Sequence, residues 1–293
     1  MQKLMLMDQR LKGSLLVMVS AASYGFMGVF ARLAYGSGVG VLELLLLSLM
    51  LSFASIGAML RAVGKIPRPT SGQCLSLFFL GGIAYVLQSC LLFLALQYIP
   101  ISITVLVFYT YPALVTAASL VMRWEHITKV TLLSLVLAFI GLLLVVNPAY
   151  DLSIMGVGIA FGSAVAYAAY VIGCSRLLKG MAGDAASFYI IGFAAAMTSA
   201  YALAFGGINF DWQIDGWLWI VLTATISTSL SIISFIKGLR IIGPTRSSIL
   251  SVLEIITSVS AAAVIFGERM TSLQALGVSL LLISIILVSL RWR

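Results

Sequence analysis

The 293 residues are 62% hydrophobic and 9% charged, with a mean hydropathy of +1.15 and a formal net charge of +8. A water-soluble domain carries about 25% charged residues, so this chain is built for lipid, and its basic excess is scattered over short segments rather than gathered into a nucleic-acid-binding face. Three cysteines, Cys74, Cys90 and Cys174, and one histidine, His126, give neither a disulfide framework nor a multi-histidine metal site, so no metal and no cofactor is expected.

A transmembrane helix needs about 20 mainly apolar residues. In chain order, such runs fall near 12–34, 40–60, 73–96, 101–122, 130–147, 154–175, 185–206, 216–236, 244–266 and 272–290, which makes ten. Gly, Pro and charge clusters separate them: GSGVG, RAVGKIPRPT, YIP, RWEHITK, NPAYD, RLLKGMAGD, GGINFDWQIDG, IIGPTR and GERMT. The first run is longer than the apolar stretch of a signal peptide and is expected to stay in the chain. No soluble domain fits in the remaining length.

Alternating ten spans from a cytoplasmic N-terminus puts Lys3, Arg10, Lys12, Arg61, Lys65, Arg68, Arg123, Lys129, Arg176, Lys179, Lys237, Arg240, Arg246, Arg291 and Arg293 on the inner side. Arg32 and Arg269 fall outside, so 15 of the 17 basic residues share one face. The positive-inside rule thus places both termini in the cytoplasm of a multi-pass protein of the plasma (inner) membrane.

The chain repeats itself at an offset of 143 residues. Gly13, Ser20, Ala21 and Tyr24 match Gly156, Ser163, Ala164 and Tyr167, while Glu125 and Thr128 match Glu268 and Thr271. The repeats divide the chain at 1–149 and 150–293, with five spans each. An odd number inverts the second half in the membrane. Inverted repeats are a signature of secondary transporters, whose site lies near the midplane between the halves.

Two segments, ALQYIPISITVLVFYTYPALVTAASLVMRWEHIT (95–128) and KGLRIIGPTRSSILSVLEIITSVSAAAVIFGERMT (237–271), resemble the two EamA-type repeats of the drug/metabolite transporter superfamily. The resemblance covers the whole chain and implies an all-α integral membrane fold. Its ten transmembrane helices would form two inverted five-helix repeats around a central cavity, lined mainly by the first, third, fourth, sixth, eighth and ninth. Two departures stand out. Many relatives carry Pro after the Glu of the ninth helix, where this chain has Ile255, which removes one reason to expect a kink there. Many carry an Arg in the second helix, where this chain has none.

Within the ninth run, Ser247, Ser251, Glu254 and Ser258 are spaced 4, 3 and 4 and share one helical face. Glu254 lies about 15 Å along the helix from Pro244, near mid-membrane. An acidic group there costs about 2.5–3.5 kcal/mol, so it must face protein or a wet cavity. Burial disfavours the charged form of a carboxyl group. Glu254 is therefore a candidate proton-coupling residue or amine counter-ion, the alternative being a hydrogen bond that ties helices together. Its repeat partner is Tyr111, beside Pro112, which breaks helical bonding and frees a carbonyl near Phe108.

Tyr24 and Tyr167 are repeat partners that either line the cavity or pack helices. Tyr85 and Gln88, three apart, are further cavity candidates, and Tyr109 and Tyr170 are weaker ones. Thr223, Ser227, Ser231 and Ser234 form a polar stripe that reads as packing. Trp217 reads as an interfacial anchor and Trp219 as a gate to the cavity.

With no G-x-x-x-x-G-K-[ST] loop and no constellation for catalysis, the reading is a transporter driven by a gradient or by exchange, not an enzyme. The expected substrate is a small amphipathic metabolite, with amino-acid export first and proton-coupled efflux of lipophilic or quaternary cations as the alternative. The expected partners are that substrate, the lipid bilayer and a proton or exchange substrate, with no nucleic acid, in a monomer or weak homodimer. On this topology, single cysteines at Gly36, Tyr150 and Asn209 react with an impermeant thiol reagent added outside, and those at Lys65 and Lys179 do not. Outside labelling at Lys65 overturns the orientation.

Overall fold

The computed structural model describes residues 2–64, 68–95, 98–99, 101–124, 127–146, 153–178, 180–206, 208–267 and 271–290. Lys65, Glu125, His126, Tyr150, Lys179, Glu268, Arg269, Arg291 and Arg293 lie outside them. Among the described residues nine helices are long and apolar enough to cross a membrane. They are Gln9–Gly36, Val41–Ala62, Ser71–Leu92, Thr104–Val121, Ile154–Leu177, Gly183–Phe205, Asp215–Ile242, Pro244–Phe266 and Ser272–Ser289. A shorter apolar helix, Lys129–Val145, stands fifth in the chain and completes the ten. In chain order these are the first to tenth spans. The near end of the bundle is where the first span begins and the tenth finishes; the far end is opposite.

Local chemistry sets the span starts. Thr70 accepts from the Gln73 amide at 3.4 Å while Gln73 accepts from the Thr70 amide at 3.0 Å, a capping box that opens the third span. Thr271 and Gln274 repeat it at the tenth, at 3.2 and 2.9 Å. Ser153 caps the sixth. Gly243, at φ +83°, turns the chain so that Pro244 can begin the ninth.

The repeat is visible in the contacts. The fifth and tenth spans cross where Gly141 meets Gly277, and Ser284 donates to the Ser134 carbonyl at 2.7 Å. Adding 143 turns Gly141 into Ser284 and Ser134 into Gly277, so the two contacts are images of each other. Likewise Gly13 lies against Ile241 and Ile242, and Gly156 against Tyr98 and Ile99. The Ser20 and Ser231 hydroxyls bond at 3.0 Å, and Ser163 donates to the Gln88 carbonyl at 2.8 Å. Small residues let these backbones approach.

The first span turns once at Phe26, between Gln2–Gly25 and Met27–Gly36, where the sixth is continuous; four more spans are irregular, in two repeat-related pairs. The third contains π-helical turns at Phe78–Tyr85 and the eighth at Thr223–Leu230. The fourth breaks at Tyr109–Thr110, between helices Ile101–Phe108 and Tyr111–Val121. Pro112 accounts for this, since it offers no N–H to the Phe108 carbonyl.

The ninth breaks at the matching place, between Pro244–Leu250 and Leu253–Phe266, although Ile255 stands where a proline was the expected cause. Serines replace it. Ser248 donates to the Thr245 carbonyl at 2.8 Å and Ser251 to the Ser247 carbonyl at 2.9 Å. Such back-bonding bends helices, and three bonds to the carbonyl three residues back, from the amides of Val252, Glu254 and Ile255, tighten the turn.

A Cβ at Gly277 would sit 2.6 Å from the Gly141 carbonyl oxygen and 2.9 Å from the Val145 amide nitrogen, both rigid backbone. Gly277→Val should therefore destabilise the bundle by about 3 kcal/mol or more. Ser284→Ala, losing one interhelical hydrogen bond, should cost about 0.6 kcal/mol. Thermal unfolding in detergent checks the ranking, and equal midpoints for the two variants contradict this packing.

Candidate functional site

A cavity of about 430 Å³ occupies the centre of the bundle. Its walls come from the first, third, fourth, sixth, eighth and ninth spans, with Val145 of the fifth and Gln274 of the tenth at the rim. Leu92, Val105, Val145 and Gln274 carry it towards the far end. Towards the near end its lining stops at Tyr170, Phe235 and Ser251.

Glu254 sits in the first turn of Leu253–Phe266, directly after the break in the ninth span. It is the one charged residue among the described residues that line the cavity. The absence of a side chain at Gly25 lets the first span close on this point: a Cβ there would lie 2.7 Å from the Glu254 carbonyl oxygen. The Tyr109 hydroxyl is beside the Glu254 carboxyl without completing a hydrogen bond of standard geometry. Tyr24, Tyr111 and Tyr167 also lie within electrostatic reach of that carboxyl.

The aromatic wall is continuous. Tyr85 meets Tyr170 at 5.9 Å between ring centroids, Tyr170 stacks on Tyr167 at 5.7 Å, and Tyr167 meets Tyr111 edge-on at 4.7 Å. Phe108 lies within 5.6 Å of Tyr109, Tyr111 and Tyr167. Tyr111 is only 1% exposed and donates a long hydrogen bond of 3.5 Å to the Ser248 carbonyl, joining the two broken spans. Edge-on aromatic pairs contribute about 0.5–1.5 kcal/mol beyond burial, so this wall is stiff.

The structure brings Glu254, Tyr111, Tyr24, Tyr167, Tyr85, Gln88 and Ser251 around one cavity. Trp219 is not among its lining. That ring packs on Phe30 at 6.4 Å, between the first and eighth spans. Arg32 lies over the Phe266 ring at 4.1 Å, and Glu43 accepts from the Asn209 amide. Sequence reasoning passed over Phe108 and Thr228 and assigned Ser227 and Ser231 to packing, yet all four line the cavity. The repeat carried the missing signal. Adding 143 to Tyr85 and Gln88 gives Thr228 and Ser231, and subtracting it from Ser251 gives Phe108.

The comparisons agree with this architecture. The family model described as "EamA-like transporter family" matches residues 11–147 and again 154–290. The chain belongs to the EamA-like transporter family. An "Uncharacterized transporter" from Archaeoglobus fulgidus is 28% identical over 285 residues, covering 96% of each chain. A protein known by its crystal structure superposes with a TM-score of 0.78 at 16% identity, over 94% of this chain and 95% of that one, a likeness of fold. In this EamA-like transporter the two matched segments are the two inverted halves that enclose the cavity.

Tyr111 separates packing from hydrogen bonding. Tyr111→Phe removes one long hydrogen bond and should cost less than about 1 kcal/mol. Tyr111→Ala empties the space between three rings and should cost about 3–5 kcal/mol. Denaturation of the purified variants in detergent checks both, and a Tyr111→Phe loss as large as that of Tyr111→Ala contradicts an aromatic, packing role.

Proposed function

We propose that this chain is a secondary transporter of small organic cations, amines or quaternary ammonium compounds, working by alternating access with Glu254 as the shared site for substrate and proton. The observation that carries the reading is the lone carboxyl group set in an aromatic wall, with no Lys, Arg or His among the described lining residues. A cation there gains the carboxylate and, from the ring faces, about 0.5–2 kcal/mol per well-placed contact. A zwitterion would bring a second charge for which these walls hold no cationic partner.

The chemistry supports exchange. Ionised Glu254 pairs with the cation, and protonated Glu254 does not, so proton and substrate compete for one group. Binding then strengthens as pH rises and weakens as it falls. The groups facing Glu254 are the hydroxyls of Tyr24, Tyr109, Tyr111 and Tyr167, which are neutral across the physiological range. The charge change therefore belongs to the carboxyl. The near end is the cytoplasmic one on this reading, because 15 of 17 basic residues fall on that side.

A second reading, amino-acid export, has one observation in its favour. Thr228, Gln88 and whichever of Ser20 and Ser231 accepts in their mutual hydrogen bond form a polar wall that can donate to a substrate carboxylate.

Purified protein in liposomes, loaded with labelled tetraethylammonium, tests the proposal. Wild-type exchange should rise from about pH 5 to about pH 8. Glu254→Gln should fold, lose at least about tenfold in exchange, the equivalent of about 1.4 kcal/mol of pairing, and retain a flux nearly independent of pH. A Glu254→Gln variant with wild-type rate and pH profile makes the carboxyl a structural group. Counterflow of pooled labelled amino acids, without competition by tetraethylammonium, selects the second reading.

A further inference from the structure

The two halves are images of each other in sequence but not in packing. At the near end the last part of the eighth span, Ser231–Ile242, lies against the seventh, and Lys237 and Asp184 form an ion pair at 3.4 Å. Beside it Arg240 donates to the Met181 carbonyl. The repeat-related place is the far end of the third span, Val86–Ala95, facing the start of the second, Val41–Ala62. Among the described residues those two helices form no such packed face. Leu94 and Val41, the repeat partners of Lys237 and Asp184, are 39% and 47% exposed. The fourth and ninth spans agree: their near halves, Tyr111–Val121 and Pro244–Leu250, pack together, and among the described residues their far halves, Ile101–Phe108 and Leu253–Phe266, form no comparable face. The structure is thus shut at the near end and parted at the far end.

In an inverted repeat the opposite state is reached when the halves exchange conformations. A contact with an equal counterpart in the other half is lost and regained, and cancels from the balance between states. The cation–π contacts do not tell the two ends apart: Arg32 lies over Phe266 at the far end at 4.1 Å and Arg176 over Trp124 at the near end at 4.3 Å, one residue out of repeat register, and both are made in this one state.

The glycine seat of the ion pair is also duplicated. A Cβ at Gly183 would meet the Lys237 stem at 2.8 Å, and its partner at the far gap is Gly40. The charges are not duplicated: Lys237 and Asp184 become Leu94 and Val41.

We propose that Lys237 and Asp184, supported by Arg240, form a one-sided latch that biases the resting transporter towards the state closed at the near end. The inference rests on alternating access between the two halves but not on any identity of the substrate. The pair is partly exposed, with side chains 38% and 30% accessible, so screening limits it. Its loss should shift the ratio of the two states about two- to fivefold.

The test is disulfide formation without substrate, in a chain whose Cys74, Cys90 and Cys174 have been replaced. A Val41→Cys/Leu94→Cys pair cross-links when the far gap closes. Lys237→Met should raise its cross-linking rate about two- to fivefold, and the charge swap Lys237→Asp with Asp184→Lys should bring the rate back. If the pair cross-links at one rate in all these backgrounds, the latch is wrong while alternating access stands. If it never cross-links, the far gap does not close and both ideas fall. As a mirror test read at the near end, Val41→Asp with Leu94→Lys installs the missing latch. It should slow an Ala185→Cys/Ile236→Cys cross-link measured in an otherwise native near end, and an unchanged rate also overturns the proposal.

Discussion

A bilayer core offers no water to an unpaired backbone carbonyl or amide, so irregular chain is tolerated only where protein or a wet cavity satisfies it. That constraint organises this molecule. Five spans are continuous helices, and the first has a single turn at Phe26. The other four, the third, fourth, eighth and ninth, carry two sets of π-helical turns and two breaks, and all four face the central cavity. The irregular turns are satisfied by devices built for the purpose. Ser52 and Ser229 both donate to the Ala224 carbonyl at 2.8 Å inside the π-helical stretch of the eighth span. Thr110 donates to the Val107 carbonyl at 2.7 Å at the break in the fourth. The site exists because the backbone is irregular, and the backbone is free to be irregular because the site is there.

The ten spans, the inverted halves and the central location of Glu254 were legible because each has a cause that acts through composition or spacing: hydrocarbon thickness, an odd number of spans per repeat, and the cost of a mid-membrane charge. The break in the ninth span was not legible from its expected signal. Attention to proline pointed away from it at Ile255, while Ser248 and Ser251 produced it through hydrogen bonds that many unbroken helices also contain. The π-helical turns left no mark either, since an inserted residue changes the phase of a helix without changing its composition. Trp219 illustrates a third kind of miss. An aromatic residue at a span end suits an interface, a gate or a core, and the choice depends on Phe30 of another span, which only the fold brings near.

The duplication kept the scaffold and divided the chemistry. Six repeat-related pairs line the cavity, and Tyr24 with Tyr167 is the only identical one. From the first half come Tyr85, Gln88, Leu92, Phe108 and Tyr111; their counterparts in the second half are Thr228, Ser231, Phe235, Ser251 and Glu254. The first half contributes most of the rings, with Ser20 as its aliphatic hydroxyl, and the second half contributes most of the aliphatic hydroxyls and the carboxyl group, with Tyr167, Tyr170 and Phe235 as its rings. A symmetric cavity would hold a ligand equally well in two orientations. On the proposed function, this one would give an amphipathic cation a face for its apolar body and another for its charge, and alternating access would present the same two faces whichever end is open. Orientation is therefore set by sequence divergence between the halves, while access is set by their likeness. The two properties can be altered separately at Tyr85 and Thr228, which line the cavity, whereas Gln88 and Ser231 belong both to the cavity and to the helix crossings with Ser163 and Ser20.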